Sequence, residues 1–127
     1  MPFNFRFRAK CLEVIDGDTL HLYIDTGFHK YEEQHVRLLG VNTPELHDKD
    51  PFKREAAQAA KEFTKATVAE WAAKSTDGWP LYLESYKGDS FGRWLCTVWP
   101  SSHLLAVDLS TLIIQNGHGV PYMVAKP

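Results

Sequence analysis

Apolar and polar residues alternate at the start of the chain. Phe3, Phe5, Phe7, Ala9 and Cys11 interleave with Asn4, Arg6, Arg8 and Lys10, the period of a half-buried β-strand over Phe3–Cys11. After a turn at Asp16-Gly17 the alternation returns over Thr19–Asp25, with Leu20, Leu22 and Ile24 on one face. A third strand is predicted over His35–Val41, and the TGFHKYEEQ stretch before it reads as a polar connection.

The period then changes. Asp50 suits a helix N-cap and Pro51 the first helical position, and an alanine-rich run extends the predicted helix to about Lys74. Phe52, Ala56, Ala59, Ala60, Phe63 and Trp71 recur at helical spacing and define its expected apolar face. Ser75 to Gly78 ends it in a turn. Leu81–Tyr86 and Arg93–Trp99 read as two more strands joined by a turn over Lys87–Gly92, with Pro100 closing the second. Leu105, Leu109, Leu112 and Ile113 predict a shorter helix over Leu104–Asn116, stopped at Gly117. The HGVPYMVAKP remainder reads as a partly anchored tail. Three strands, a helix, two strands and a terminal helix is the element order of a five-stranded OB-type barrel, mainly β with α (α+β), with the long helix between strands 3 and 4.

Length and charge narrow the picture. A chain of 127 residues, 44% hydrophobic and 24% charged, suits a single domain over 1–127, with no repeat and no linker to divide it. Such a domain needs no disulfide or metal staple to fold. Cys11 and Cys96 lie in strand-like stretches outside any CxxC pattern and read as small buried hydrophobes. A net charge of −2 excludes a protein that grips nucleic acid through a broad basic surface, so a polyanion would have to be met locally. The N-terminus lacks the apolar run of a signal peptide, and no stretch approaches a membrane span. An intracellular, cytoplasmic monomer is expected, in a bacterium or in a phage-infected cell.

Three islands carry candidate chemistry: VIDGDTL at 14–20, VRLLGVNTPEL at 36–46 and DSFGRWL at 89–95. In order and spacing they resemble the staphylococcal nuclease-like, or thermonuclease, family. Its signature joins a DGDT turn, an R-x-x-x-x-[DN]-TPE strand end and a G-R opening the fifth strand, and the likeness spans residues 9 to about 118. The resemblance implies metal-dependent cleavage of phosphodiesters in DNA or RNA with little sequence preference, leaving 3′-phosphate ends. The residue types suit that chemistry. Attack on phosphorus builds charge on equatorial oxygens and needs an oriented water, and cationic forks, a hard divalent ion and a carboxylate meet those needs.

Arg37 and Arg93 each read alone as solvated strand arginines; together they are candidates for bidentate phosphate contact. The resemblance makes both transition-state clamps and Glu45 the general base or the group that orients water. It makes Asp18 the direct metal ligand, with Asp16 behind it holding metal-bound water, and gives the ion the Thr43 carbonyl and the Asn42 side chain. Calcium is the implied ion, with manganese or another divalent cation as alternatives. Asn42 departs from the aspartate of the best-known family members, so the site loses one negative charge. Lys87, Phe91 and Tyr122 are candidates for gripping substrate, the last two as base platforms.

The histidines, His21, His29, His35, His47, His103 and His118, show no zinc-like spacing. Trp71, Trp79, Trp94 and Trp99 read as core or rim. An alternative function is a binding module, an OB barrel of the same descent that recognises nucleic acid or protein without cutting. Retention of Arg37, Glu45 and Arg93 argues for the enzyme.

Overall fold

The computed structural model describes residues 5–86, 92–102 and 106–122. Its elements are β1 (Phe5–Asp16), β2 (Thr19–Gly27), β3 (Lys30–Leu38), β4 (Val41–Asn42), α1 (Pro51–Lys74), β5 (Leu81–Tyr86), β6 (Trp94–Pro100), α2 (Leu109–Gln115) and β7 (Val120–Pro121). Five of the strands close into a barrel in the order β1-β2-β3-β6-β5, and β4 and β7 form a separate two-stranded ribbon. All barrel pairings are antiparallel except β3 with β6, which run parallel through Val36–Trp94, Arg37–Leu95 and Leu38–Cys96. The expected architecture is therefore present, with α1 lying between the third and fourth barrel strands.

Alternating side chains fill the barrel. Leu20, Leu22, Val36, Leu38, Leu81, Leu83 and Val98 are fully buried, each contributing roughly 1.5–3 kcal/mol over exposure. Leu109 and Ile113 of α2 seal the wall formed by β6. In β1 the odd-numbered inward set ends at Ala9 and resumes at the even-numbered Val14, because register shifts between Cys11 and Glu13 and between Val14 and Asp16 turn the strand over. Cys11 is accordingly only half-buried, while Cys96 is buried. Both thiols are pushed up by burial, to about 11 and about 12, so they stay protonated at neutral pH.

Four expectations need correction. The TGFHKYEEQ segment is no loose connection: β2 and β3 form a continuous hairpin, with Phe28 and His29 in the left-handed region at φ of 57° and 60°. Two successive left-handed residues make the mirror-image turn that suits strand twist, normally advertised by Asn-Gly. Here the turn residues do not advertise it, and Lys30–Glu33 are polar because they are exposed. The third strand also ends sooner than expected, at Leu38; a turn at Leu39-Gly40 separates it from β4. The buried face of α1 is Ala57, Ala60, Thr64, Val68 and Trp71, whereas Phe52, Ala56 and Ala59 face solvent. Bulky Phe52 lies in the first helical turn and is 82% exposed. Finally, α2 starts at Leu109 behind an Asp108 cap whose carboxylate accepts from the Thr111 amide at 3.2 Å. Phe3, Leu104, Leu105 and His103, part of the sequence reading, lie outside the described residues.

The long helix begins as expected. Asp50 Oδ1 accepts from the Phe52 amide at 2.9 Å, and Pro51 supplies the first helical residue, which has no amide to satisfy.

Candidate active site

The Asp16–Thr19 turn is bolted in place from two sides. Asp18 carbonyl accepts from the Leu38 amide at 2.8 Å, tying the turn to β3, and Thr64 Oγ1 of α1 donates to the Gly17 carbonyl at 2.8 Å. Asp16 Oδ1 accepts from the Asp18 amide at 3.1 Å, the local bond that aspartate makes in turns. Gly17 fits because it lacks a side chain: a Cβ there would lie 2.9 Å from Ala60 Cβ and from both Thr43 Cγ2 and Oγ1.

These contacts aim the Asp18 carboxylate inward, where it is buried. Its Oδ2 accepts from the Thr43 amide at 3.1 Å and from Arg37 Nη2 at 3.3 Å, and its Oδ1 from the Thr19 hydroxyl at 3.4 Å. Arg37 sits directly across from Thr19 in the β2–β3 pairing, and its Nη2 also donates to Asn42 Oδ1 at 3.0 Å. Arg93, just before β6, donates from Nη1 to Thr19 Oγ1 at 3.3 Å. Tyr122 arrives from the other end of the chain: β7 pairs with β4, the Tyr122 amide donates to the Gly40 carbonyl at 3.0 Å, and the Arg37 guanidinium lies 5.1 Å from the centre of the Tyr122 ring. One barrel end thus holds two guanidiniums joined through Thr19 and Asp18.

The family model described as staphylococcal nuclease homologue matches residues 35–127. The chain belongs to this family. A similar protein is an uncharacterized one from Methanocaldococcus jannaschii, 22% identical over 129 residues that cover 92% of this chain. The chain spans about 60% of that relative's length. The family match starts in β3, so the Asp16–Thr19 turn lies before it; the structure brings that turn against the matched residues Arg37, Asn42 and Thr43.

In this staphylococcal nuclease-like chain, Asp16, Asp18, Arg37, Asn42, Thr43, Arg93 and Tyr122 gather at one end of the barrel. Glu45 makes no hydrogen bond or ion pair with them. It stands exposed in the loop after Pro44, beside His47, Asp48 and Lys49, and its side chain has no hydrogen-bond or ion-pair partner among the described residues. Lys87 and Phe91 lie outside the described residues. Three participants escaped the sequence reading: Thr19, which links Arg93 to Asp18; Thr64, which holds the turn; and Gly119, where a Cβ would come within 2.7 Å of Val41 Cγ2. The first was within reach, as the last letter of DGDT. Thr64 was masked by its place in an alanine-rich helix, and Gly119 by the apparent looseness of the tail.

Electrostatics single out Asp18. Burial pushes its carboxyl up to about 6, and the neighbouring Asp16 carboxyl adds to the rise, against the Thr43 amide and the Arg37 guanidinium. A buried carboxylate with a second acid beside it is a place where added positive charge is favourable. The oxygens that its bonding network brings together are those of the Asp18 and Asp16 carboxylates, the Thr19 hydroxyl and, through Arg37, the Asn42 amide. That set fits a hard divalent ion such as calcium or magnesium. Among the described residues no cluster of three or more His, Cys, Asp or Glu offers a metal site, so the fit depends on neutral oxygens such as that of Asn42 supplementing the two acids.

Proposed function

We propose that the chain is a divalent-metal-dependent nuclease that hydrolyses phosphodiesters of DNA, RNA or both with little sequence preference, leaving 3′-phosphate ends, with calcium as the working ion. The observation that supports this most is Arg37 poised on Asp18 and Asn42 while Arg93 reaches the same carboxylate through Thr19. Two planar cations beside an oxygen-rich site are what a pentacoordinate phosphate needs.

In this reading Asp18, Asn42 and the Thr43 carbonyl hold the ion, which supplies positive charge beside the reacting phosphate. Arg37 and Arg93 bind its non-bridging oxygens and meet the charge that grows there on attack. Glu45 takes the proton of the attacking water; the new bond joins the water oxygen to phosphorus, and the electron pair of the broken bond leaves with the 5′ oxygen. Tyr122, stacked by Arg37, offers a ring to an adjacent base.

Cleavage of labelled single-stranded DNA, duplex DNA and RNA, with calcium or with chelator, tests the proposal beside a Glu45→Gln variant. Calcium-dependent cutting that the variant loses is the expected result. Absence of cutting under any divalent ion, in folded protein, would favour the binding-module reading, which draws on the exposed Glu45 carboxylate making no bond to either arginine.

Asn42→Asp restores a full carboxylate among the oxygen donors. A unit charge at about 4 Å is worth roughly 4 kcal/mol at an effective dielectric of about 20, so even a third of that tightens the ion about tenfold. Titration calorimetry checks this, and equal affinities in the two proteins would refute it. In both, affinity falls as pH drops through about 6, because Asp18 must lose its proton to bind.

A further inference from the structure

The outer wall of the barrel, remote from the arginines, carries a second organised surface. Tyr23 of β2, Tyr31 of β3 and Trp79 in the turn before β5 have ring centroids 5.5, 5.7 and 6.2 Å apart and planes within 9° of parallel. Three nearly equal separations describe a triangle of rings, not a column. Arg8 and Lys10 of β1 lie 5.0 and 4.7 Å from the centre of the Trp79 ring. Arg8 is neutralised by Asp25 at 2.8 Å; Lys10 has no carboxylate partner among the described residues.

Lys10 also belongs to a cleft of about 630 Å³ between β1 and α1, which Gly78 and Pro80, flanking Trp79, line as well. Lys61 and Lys65 project from α1 into that cleft and are likewise without carboxylate partners among the described residues; Glu13 is the one acid lining it. Aromatic rings and ammonium groups without a carboxylate partner among the described residues therefore share a border, with Lys10 lying over both Trp79 and Tyr23. A flexible polyanion with flat bases fits both halves, phosphates on the lysines and bases on the rings.

We infer that the Tyr23–Tyr31–Trp79 face and the Lys10–Lys61–Lys65 cleft form a docking surface for single-stranded nucleic acid, distinct from the end that holds Arg37. It lies about 13 Å along β2 from Thr19, at ~3.3 Å per residue, so a strand of several nucleotides would span both. The inference builds on the nuclease reading, yet its test does not need cleavage.

The test is fluorescence anisotropy of a labelled pyrimidine 20-mer in chelator, read against salt. Lys10→Gln/Lys61→Gln/Lys65→Gln should flatten the log–log salt dependence by about 2, at ~0.7 per phosphate neutralised on a single strand. Trp79→Ala should bind about tenfold more weakly and Trp79→Phe nearly as well as wild type. Should Trp79→Ala unfold, the lysine variant, checked for an unchanged melt, decides alone, with Lys65→Gln, at an exposed position, as the control for folding. Unchanged affinity and slope in the lysine variant overturn the inference and leave the nuclease reading intact, as does failure of the wild type to bind the strand in chelator. Loss on substitution in a protein that never cuts supports the surface while defeating the nuclease reading.

Discussion

Replacing Arg37 with alanine should lower calcium-dependent cleavage by at least about 10²–10³-fold, the loss that follows removal of one preorganised donor to transition-state charge. Arg37 is held by four groups, Asp18, Asn42, the Leu38 carbonyl and the Tyr122 ring, so its position is set before substrate arrives. Its removal also takes the nearest cation from a buried carboxylate. The protein should then lose stability at neutral pH and regain it on acidification. The sign follows from Asp18, whose carboxyl in the fold sits above the ordinary aspartate value, at about 6. Its charged form is penalised in the folded state at all pH values above that. As pH falls from about 6 towards the unfolded value of roughly 4, the folded state takes up the proton first and stability rises. Loss of Arg37 enlarges the penalty. Thermal melts of wild type and Arg37→Ala at pH 5 and pH 8 measure this, and a variant that cuts normally, or that melts with the same pH trend as wild type, defeats the account.

Gly17→Ala should be strongly damaging for a single added methyl. Gly17 does not have a positive φ, so its requirement is one of space and not of backbone conformation. The added Cβ would press on Ala60 and on Thr43 at 2.9 Å, distances that real side chains do not tolerate. Ala60 belongs to the body of a long helix and cannot retreat alone. Overpacking of this kind costs about 1–3 kcal/mol, which lowers Tm by roughly 4–15 °C in a domain of this size. The same push displaces Thr43, whose amide bonds Asp18, so metal affinity should fall together with stability. Differential scanning calorimetry with and without calcium reports both, and an unchanged Tm would show that α1 yields more readily than its packing implies.

Much of this architecture was legible in the residues. The alternation of Leu20, Leu22 and Ile24, the Asp50-Pro51 helix start and the Leu81–Tyr86 strand reappear in the structure almost residue for residue. What failed did so for local reasons. Lys30–Glu33 form a strand by pairing with β2, although neither their turn nor their exposed side chains give the pattern expected of one. The face of α1 was misjudged because alanine is indifferent to burial, and the true stripe runs through Thr64, a polar residue buried to bond a carbonyl. The gathering of Asp18, Arg37 and Asn42 followed from motif spacing, and Arg93 with Tyr122 joined them only through barrel closure and the β4–β7 ribbon. No helix among the described residues is long and apolar enough to cross a membrane.

The parallel seam between β3 and β6 carries one more consequence. It is the joint that closes the barrel, and it unites segments that stand far apart in the chain with the whole of α1 between them. Pairings of such separation meet their loop-closure cost before any contact repays it, which slows folding. Arg37 and Arg93 lie on, or next to, the two strands of that seam, and Tyr122 follows later still in the chain. A chain emerging from the ribosome therefore reaches Asp18 and Arg37 long before it has Arg93, and the site stays incomplete until Arg93 and Tyr122 have been made. If the proposed activity extends to RNA, that order would leave both the phosphate clamp and the aromatic platform missing from the nascent chain through the whole of α1.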